Sequence, residues 1–148
     1  MQRNGFTLIE LLVVLVIIGL AAGAVALTIP GGEDKVRADA TELASRIAAI
    51  RDRAIVEGRP LGIWIAPSGY GFEARGDEEW EAYGAEPFAA AENWRSEVVA
   101  DTAGAERIVI RFNSVGMPAA PALVTLRGPE NSWRQVEVAA SGDVKARP

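Results

Sequence analysis

One uncharged apolar run near the N-terminus limits what this chain can become. Residues 11–29 (LLVVLVIIGLAAGAVALTI) hold nineteen positions without a charge, and Thr28 is the only conventional polar side chain among them. At ~1.5 Å per helical residue this run nearly spans a hydrocarbon layer of about 30 Å. Fifteen of residues 6–29 are Leu, Ile, Val or Phe. Each favours insertion by roughly 0.3–0.6 kcal/mol, together more than one carboxylate near the end of the run opposes. That carboxylate is Glu10, four residues after Phe6. Arg3 is the only charge before residues 6–29, and Glu33 and Asp34 follow them. The positive-inside tendency then places the N-terminus in the cytoplasm and the remainder outside it.

Composition removes several classes of chemistry. The chain has 148 residues, enough for one domain with a core of its own. It has no Cys and no His, so thiol nucleophiles, disulfides, thiolate metal sites and Ser–His–Asp triads are ruled out by composition. The balance of 15 basic and 20 acidic residues, net −5, gives no cationic field for nucleic acid. No phosphate-binding Gly-Lys-Ser/Thr loop is present. No catalytic residue, cofactor, metal or small-molecule substrate is expected. The acidic residues 77–81 read as a solvated loop, since they lack the ligand spacing of a calcium loop. Glu78 and Glu81 have no sign of a pocket that would put them to acid–base work. Trp64, Trp80, Trp94 and Trp133 read as core or turn packing.

The residues admit three readings of the N-terminus. It can be a secretory signal peptide, with residues 1–5 as the charged region and Ala24-Val25-Ala26 as the cleavage site. An acid in the apolar region hinders that role. It can be a plain anchor that tolerates Glu10 near the interface. The third reading rests on a family resemblance set out below, which implies a cut after Gly5; the new cationic amine of Phe6 would then lie one helical turn from Glu10. A carboxylate among apolar side chains is costly unless paired, so the amine supplies what Glu10 lacks. Spacing alone leaves open whether that amine belongs to the same chain or to a neighbour.

Beyond the run, Pro30-Gly31-Gly32 predicts a kink or break. Glu33 or Asp34 then starts a second helix, where acids are favoured. Val36, Ala40, Leu43, Ile47, Ile50 and Ala54 recur at spacings of 4 and 3, one stripe of an amphipathic helix. Ala44 and Ile55 widen the stripe, and Gly58 with Pro60 ends it. The stripe is expected to pack on the domain's own sheet. Strands are predicted at 61–66, 70–75, 106–112, 122–127 and 133–139, with a short last strand around Val144 and another around 97–100. Pro67-Ser68-Gly69 turns the first hairpin.

Gly5-Phe6-Thr7-Leu8-Ile9-Glu10, followed by the apolar run, resembles the N-terminal signal of type IV pilins and type II secretion pseudopilins. The later order is similar to the GspH/FimT branch of that superfamily. It includes Arg37-Ala38, Gly58-Arg59-Pro60, Gly69-Tyr70-Gly71-Phe72, the Phe112 to Gly116 element and the Val138 to Val144 turn. The resemblance implies an α+β pilin-like fold, a long N-terminal helix, transmembrane then amphipathic, on antiparallel sheet. Its implied divisions are a leader (1–5), a transmembrane helix (6–29), a kink and amphipathic helix (30–58) and a periplasmic β domain (59–148). It implies cleavage between Gly5 and Phe6, N-methylation of Phe6, and pairing of Glu10 with the amine of a neighbouring subunit. Implied partners are a prepilin peptidase, the major and other minor pseudopilins, and the bacterial inner membrane. The implied function is that of a minor pseudopilin in type II secretion. One rival is a FimT-like minor pilin of a type IV pilus, with DNA uptake disfavoured by the −5 charge. The other is a soluble periplasmic protein released after Ala26.

Overall fold

A computed structural model describes residues 7–26 and 31–148. Gly5 with the rest of the leader, and Phe6 after it, lie outside the described residues, as does Pro30 of the expected kink. The chain divides into two units at Gly31 and Gly32. In the first, helix α1 (Leu8–Ala26) exposes its large apolar side chains from Leu8 to Leu20. Among the described residues, no helix is long and apolar enough to cross a membrane.

The second unit opens with α2 (Gly32–Glu57), with Glu33 and Asp34 in its first turn. There the two acids face the positive end of the helix dipole. The helix ends as Gly58 predicts. Gly58 adopts φ 65°, its N–H donates to Ile55 O at 3.2 Å, and Arg59 N–H donates to Ala54 O at 3.2 Å. These are the two bonds of a Schellman motif, and the left-handed position suits a residue without Cβ.

Two antiparallel sheets follow. The first is built from β1 (Leu61–Ala66), β2 (Gly69–Arg75), β3 (Trp80–Ala82), β4 (Glu92–Asn93) and β6 (Ile108–Phe112). Its order is β3-β2-β1-β6, with β4 also on β2. The second holds β5 (Val99–Asp101), β7 (Ala122–Arg127), β8 (Trp133–Val138) and β9 (Val144–Arg147), in the order β5-β7-β8-β9. Pro67 and Ser68 turn β1 into β2, with Ala66 opposite Gly69.

Helix α2 lies against β1 of the first sheet and against β7, β8 and β9 of the second. All six residues of the predicted stripe are buried, and they meet Leu61, Ile63, Ile65, Phe72, Val124, Leu126, Val136 and Val138 in one core. Burying each Leu or Ile contributes roughly 1.5–3 kcal/mol, which sets the phase of the helix on the sheets. Ile55 departs from expectation and is 48% exposed. It stands off the covered face, although Ala54 in the same turn is fully buried, and its side chain lies beside Gly116.

On the outward face of the first sheet the Trp64 indole lies across Gly71, where any side chain would collide with it. Residues 77–81 are not wholly a loop. Trp80 and Glu81 join β3, opposite Arg75 and Ala74, because the N–H of Gly76 donates to Glu79 O at 2.8 Å and closes a hairpin. The guanidinium of Arg111 then covers the Trp80 ring at 4.3 Å from its centre.

Candidate functional site

The described part of the N-terminal motif starts α1. The backbone N–H of Glu10 donates to Thr7 O at 3.1 Å. Thr7 Oγ1 accepts from the N–H of Glu10 at 3.4 Å, and Glu10 Oε2 accepts from the N–H of Thr7 at 3.4 Å. Thr at the cap and Glu three residues later form a reciprocal capping box. Sequence reasoning considered only amine partners for Glu10 and missed this one, although Thr-x-x-Glu before an apolar run is its signature. Both side-chain contacts are long compared with the usual ~2.7–3.2 Å, so they hold the carboxylate weakly. Glu10 is also exposed. A cation arriving at this turn would find a poorly satisfied carboxylate.

The second unit carries a charged seam along α2. Lys35 binds Glu97 at 2.8 Å, Arg95 binds Asp39 and, at 3.2 Å, Glu42, and Arg46 binds Glu92. The helix positions 35, 39, 42 and 46 are spaced 4, 3 and 4, beside the apolar stripe. Their signs run plus, minus, minus, plus, matched by Glu97, Arg95 and Glu92 on a strap that runs the opposite way, from 92 to 97. Asp39 is only 4% exposed and also accepts the backbone N–H of Arg95 at 2.9 Å. Trp94 anchors the strap: its Nε1–H donates to Ala66 O at 3.1 Å, and its ring lies 5.0 Å from that of Tyr70. Burial, with the Glu92 charge beside it, pushes the Tyr70 hydroxyl well above the ordinary tyrosine range. Sequence reasoning left this stretch unresolved. The available signal was the regular spacing of charges on a second face of the helix.

At the end of α2, Glu57 accepts from the Tyr83 hydroxyl, from Arg59 Nε at 2.8 Å and from Arg53 Nε at 2.7 Å. These bonds, Tyr83 first, hold its carboxyl at about 2, below the ordinary 4.5. Among the described residues, no group of three or more carboxylates is arranged to hold a metal ion.

A long amphipathic helix laid along antiparallel sheets, preceded in the sequence by a separate apolar helix, is a pilin-like fold. Solved structures agree. The minor pseudopilin EpsH from the type II secretion system of Vibrio cholerae superposes with TM-score 0.64 at 15% identity, covering 76% of this chain and 96% of that one. The type IV minor pilin FimU of Pseudomonas aeruginosa superposes with TM-score 0.58 at 13% identity, covering 76% and 88%. At these identities the likeness concerns the fold. The family model for the type II transport protein GspH matches residues 39–142, and that for the prokaryotic N-terminal methylation motif matches residues 1–26. The chain belongs to the GspH family. It is similar to type II secretion system protein H of Aeromonas hydrophila, 31% identical over 85 residues, which are 55% of this chain and 46% of that protein. The protein of the same name in Escherichia coli K12 is 37% identical over 73 residues, 47% and 43% of the two chains. The chain thus spans about half the length of the curated relatives it matches.

Proposed function

We propose that this chain is a minor pseudopilin of a type II secretion system. Prepilin peptidase cuts between Gly5 and Phe6 and methylates the new amine of Phe6. The stretch 6–29 holds the chain in the inner membrane, N-terminus cytoplasmic, with the C-terminal unit in the periplasm. The major and other minor pseudopilins take it into a pseudopilus that moves folded proteins outward. Glu10 pairs with the amine of a neighbouring subunit during that assembly.

One observation carries this reading: an N-terminal methylation motif and a GspH region lie on the same chain. The weak hold of Thr7 on Glu10 supports the pairing role, because a charged partner improves on contacts of 3.4 Å. The proposed membrane stretch includes residues at both ends that the structure does not describe, and its support is the uncharged run itself.

Intact mass of the mature chain from membranes tests the processing. A chain beginning at methylated Phe6 supports it, and one beginning at Leu27 overturns it in favour of release after Ala26.

A further inference from the structure

Exposed apolar side chains gather in two places on the second unit: Ile55, Val56, Val115 and Met117 at the C-terminal end of α2, and Val99 with Trp133 at the start of that helix, where the chain enters from the apolar run. At the start of α2, the turn 128–132 is packed onto the helix so closely that a side chain at Gly32 would collide with Pro129, and one at Gly128 with Val36. Arg134 Nη2 ties the strand after that turn to Glu33 at 2.6 Å. Lys35 ties the same end to Glu97, two residues before β5. The register then sets Val99, Arg127 and Trp133 in one row across β5, β7 and β8. Strand alternation turns this row away from the core, because Val124, Leu126, Val136 and Val138 fill the inward face.

On that outward face the next row is polar: Asp101, Thr125, Gln135 and Arg147. The row at the helix start instead presents Trp133, 45% exposed, and Val99, 47% exposed. Leu123 stands at the opposite end of the sheet, beside Glu137, as a single exposed apolar residue of the ordinary kind.

This end has no excess of positive charge: its cations are paired, and exposed Glu130 in the turn adds one carboxylate outside those pairs. Lys35, Arg37, Arg127 and Arg134 are each paired, with Glu97, Asp34, Asp101 and Glu33 respectively. A half-exposed indole among paired charges suits the headgroup level of a neutral bilayer, where Trp is enriched, and does not suit an anionic surface. The covalent chain supplies proximity. Six residue steps separate Ala26, the last residue of α1, from Gly32, a reach of about 20 Å at most. With the apolar run in a membrane, the start of α2 and the turn packed on it are confined to that membrane's surface.

We propose that the row Val99–Arg127–Trp133 is a membrane-facing surface, with the Trp133 indole seated at the headgroup level of zwitterionic phospholipid. This inference rests on the membrane anchor proposed above. It makes the second unit lie with one defined end against the bilayer before assembly rather than swing freely on its tether.

The test uses the full chain reconstituted in phosphatidylcholine vesicles, with and without bromine on the acyl chains close to the headgroup. Bromine quenches an indole that touches it. The chain has four Trp, so the contribution of Trp133 is read as the difference between the native chain and Trp133→Phe, whose fold is checked by thermal unfolding. The expected result is quenching in the native chain that is lost in W133F. Equal quenching in the two chains overturns the proposal. So does a blue shift of Trp133 emission that grows with the protein-to-lipid ratio without quenching, since a second copy then covers the row. Flotation separates the two readings. A chain that fails to float with vesicles removes the anchor, whereas one that floats without quenching of Trp133 removes only this surface.

Discussion

Asp39 on α2 holds Arg95 twice, by its guanidinium and by its backbone N–H, across 56 residues of sequence. The carboxylate is nearly sealed while the arginine is 45% exposed. The pair therefore pins a strap with little regular structure to the helix at one buried point. Arg95→Ala would leave a buried charge without its cation. We expect a loss of about 2–4 kcal/mol, read as a lower urea midpoint at unchanged slope. Lys35→Ala breaks a pair whose acid is 62% exposed, and is expected to cost under ~1 kcal/mol. Equal losses would show that the seam acts as a whole rather than through Asp39.

Stability in acid should follow Glu57. Its folded carboxyl sits at about 2 against an ordinary 4.5, chiefly through the Tyr83 hydroxyl. A depressed carboxyl contributes stability above its unfolded value and loses it as pH falls toward the folded value. That window is pH 4.5 down to about 2. Urea midpoints measured across it should fall less steeply for Glu57→Gln than for the native chain. Parallel curves would count against the cluster.

The two isoleucines at 47 and 55 should differ sharply. Ile47 is 0% exposed, and Ile47→Ala is expected to cost about 2–5 kcal/mol. Ile55 is 48% exposed, and Ile55→Ala should cost under ~1 kcal/mol. Thermal unfolding of the two variants checks this contrast.

Gly71→Ala places a methyl group into the Trp64 indole. We expect a loss of about 1–3 kcal/mol from overpacking. The same substitution in a Trp64→Ala background should cost much less, giving a coupling that a double-mutant cycle measures. Additive losses would mean that Gly71 is needed for its backbone alone.

Glu10→Gln separates capping from charge. Glutamine serves as well as glutamate at the third position of a capping box but carries no charge. If pairing with a neighbour's amine is the role, E10Q and Glu10→Ala should both insert and be cut normally, and both enter the filament poorly. Normal incorporation of E10Q would reduce Glu10 to a helix cap. Crosslinking of the chain to neighbouring pseudopilins in intact cells, read by immunoblot, gives the reading.

Much of the fold is written locally. The α2 stripe, the Gly58 stop and strands such as 61–66 and 122–127 emerge where expected because helix and strand periods are set by neighbours within a few residues. The Thr7–Glu10 box is equally local, written as Thr-x-x-Glu before an apolar run.

Between 77 and 105 only the short strand expected around 97–100 was legible, emerging as β5 (Val99–Asp101), and the rest was not, for a different reason. Its β3 and β4 span three and two residues, too short for any period to register. Tyr83, Phe88, Trp94 and Val98 are buried there without a repeating pattern.

By itself, then, the sequence determined an apolar helix carrying one acid, a second helix with one apolar face, and a set of alternating strands. Each of these follows from interactions a few residues apart. Only the tertiary structure decided that Asp39 is sealed under Arg95, that the strap bridges helix and sheets, and that Trp133 stands exposed beside the start of α2. Those outcomes depend on which distant groups meet, and nothing in the local order of residues encodes that.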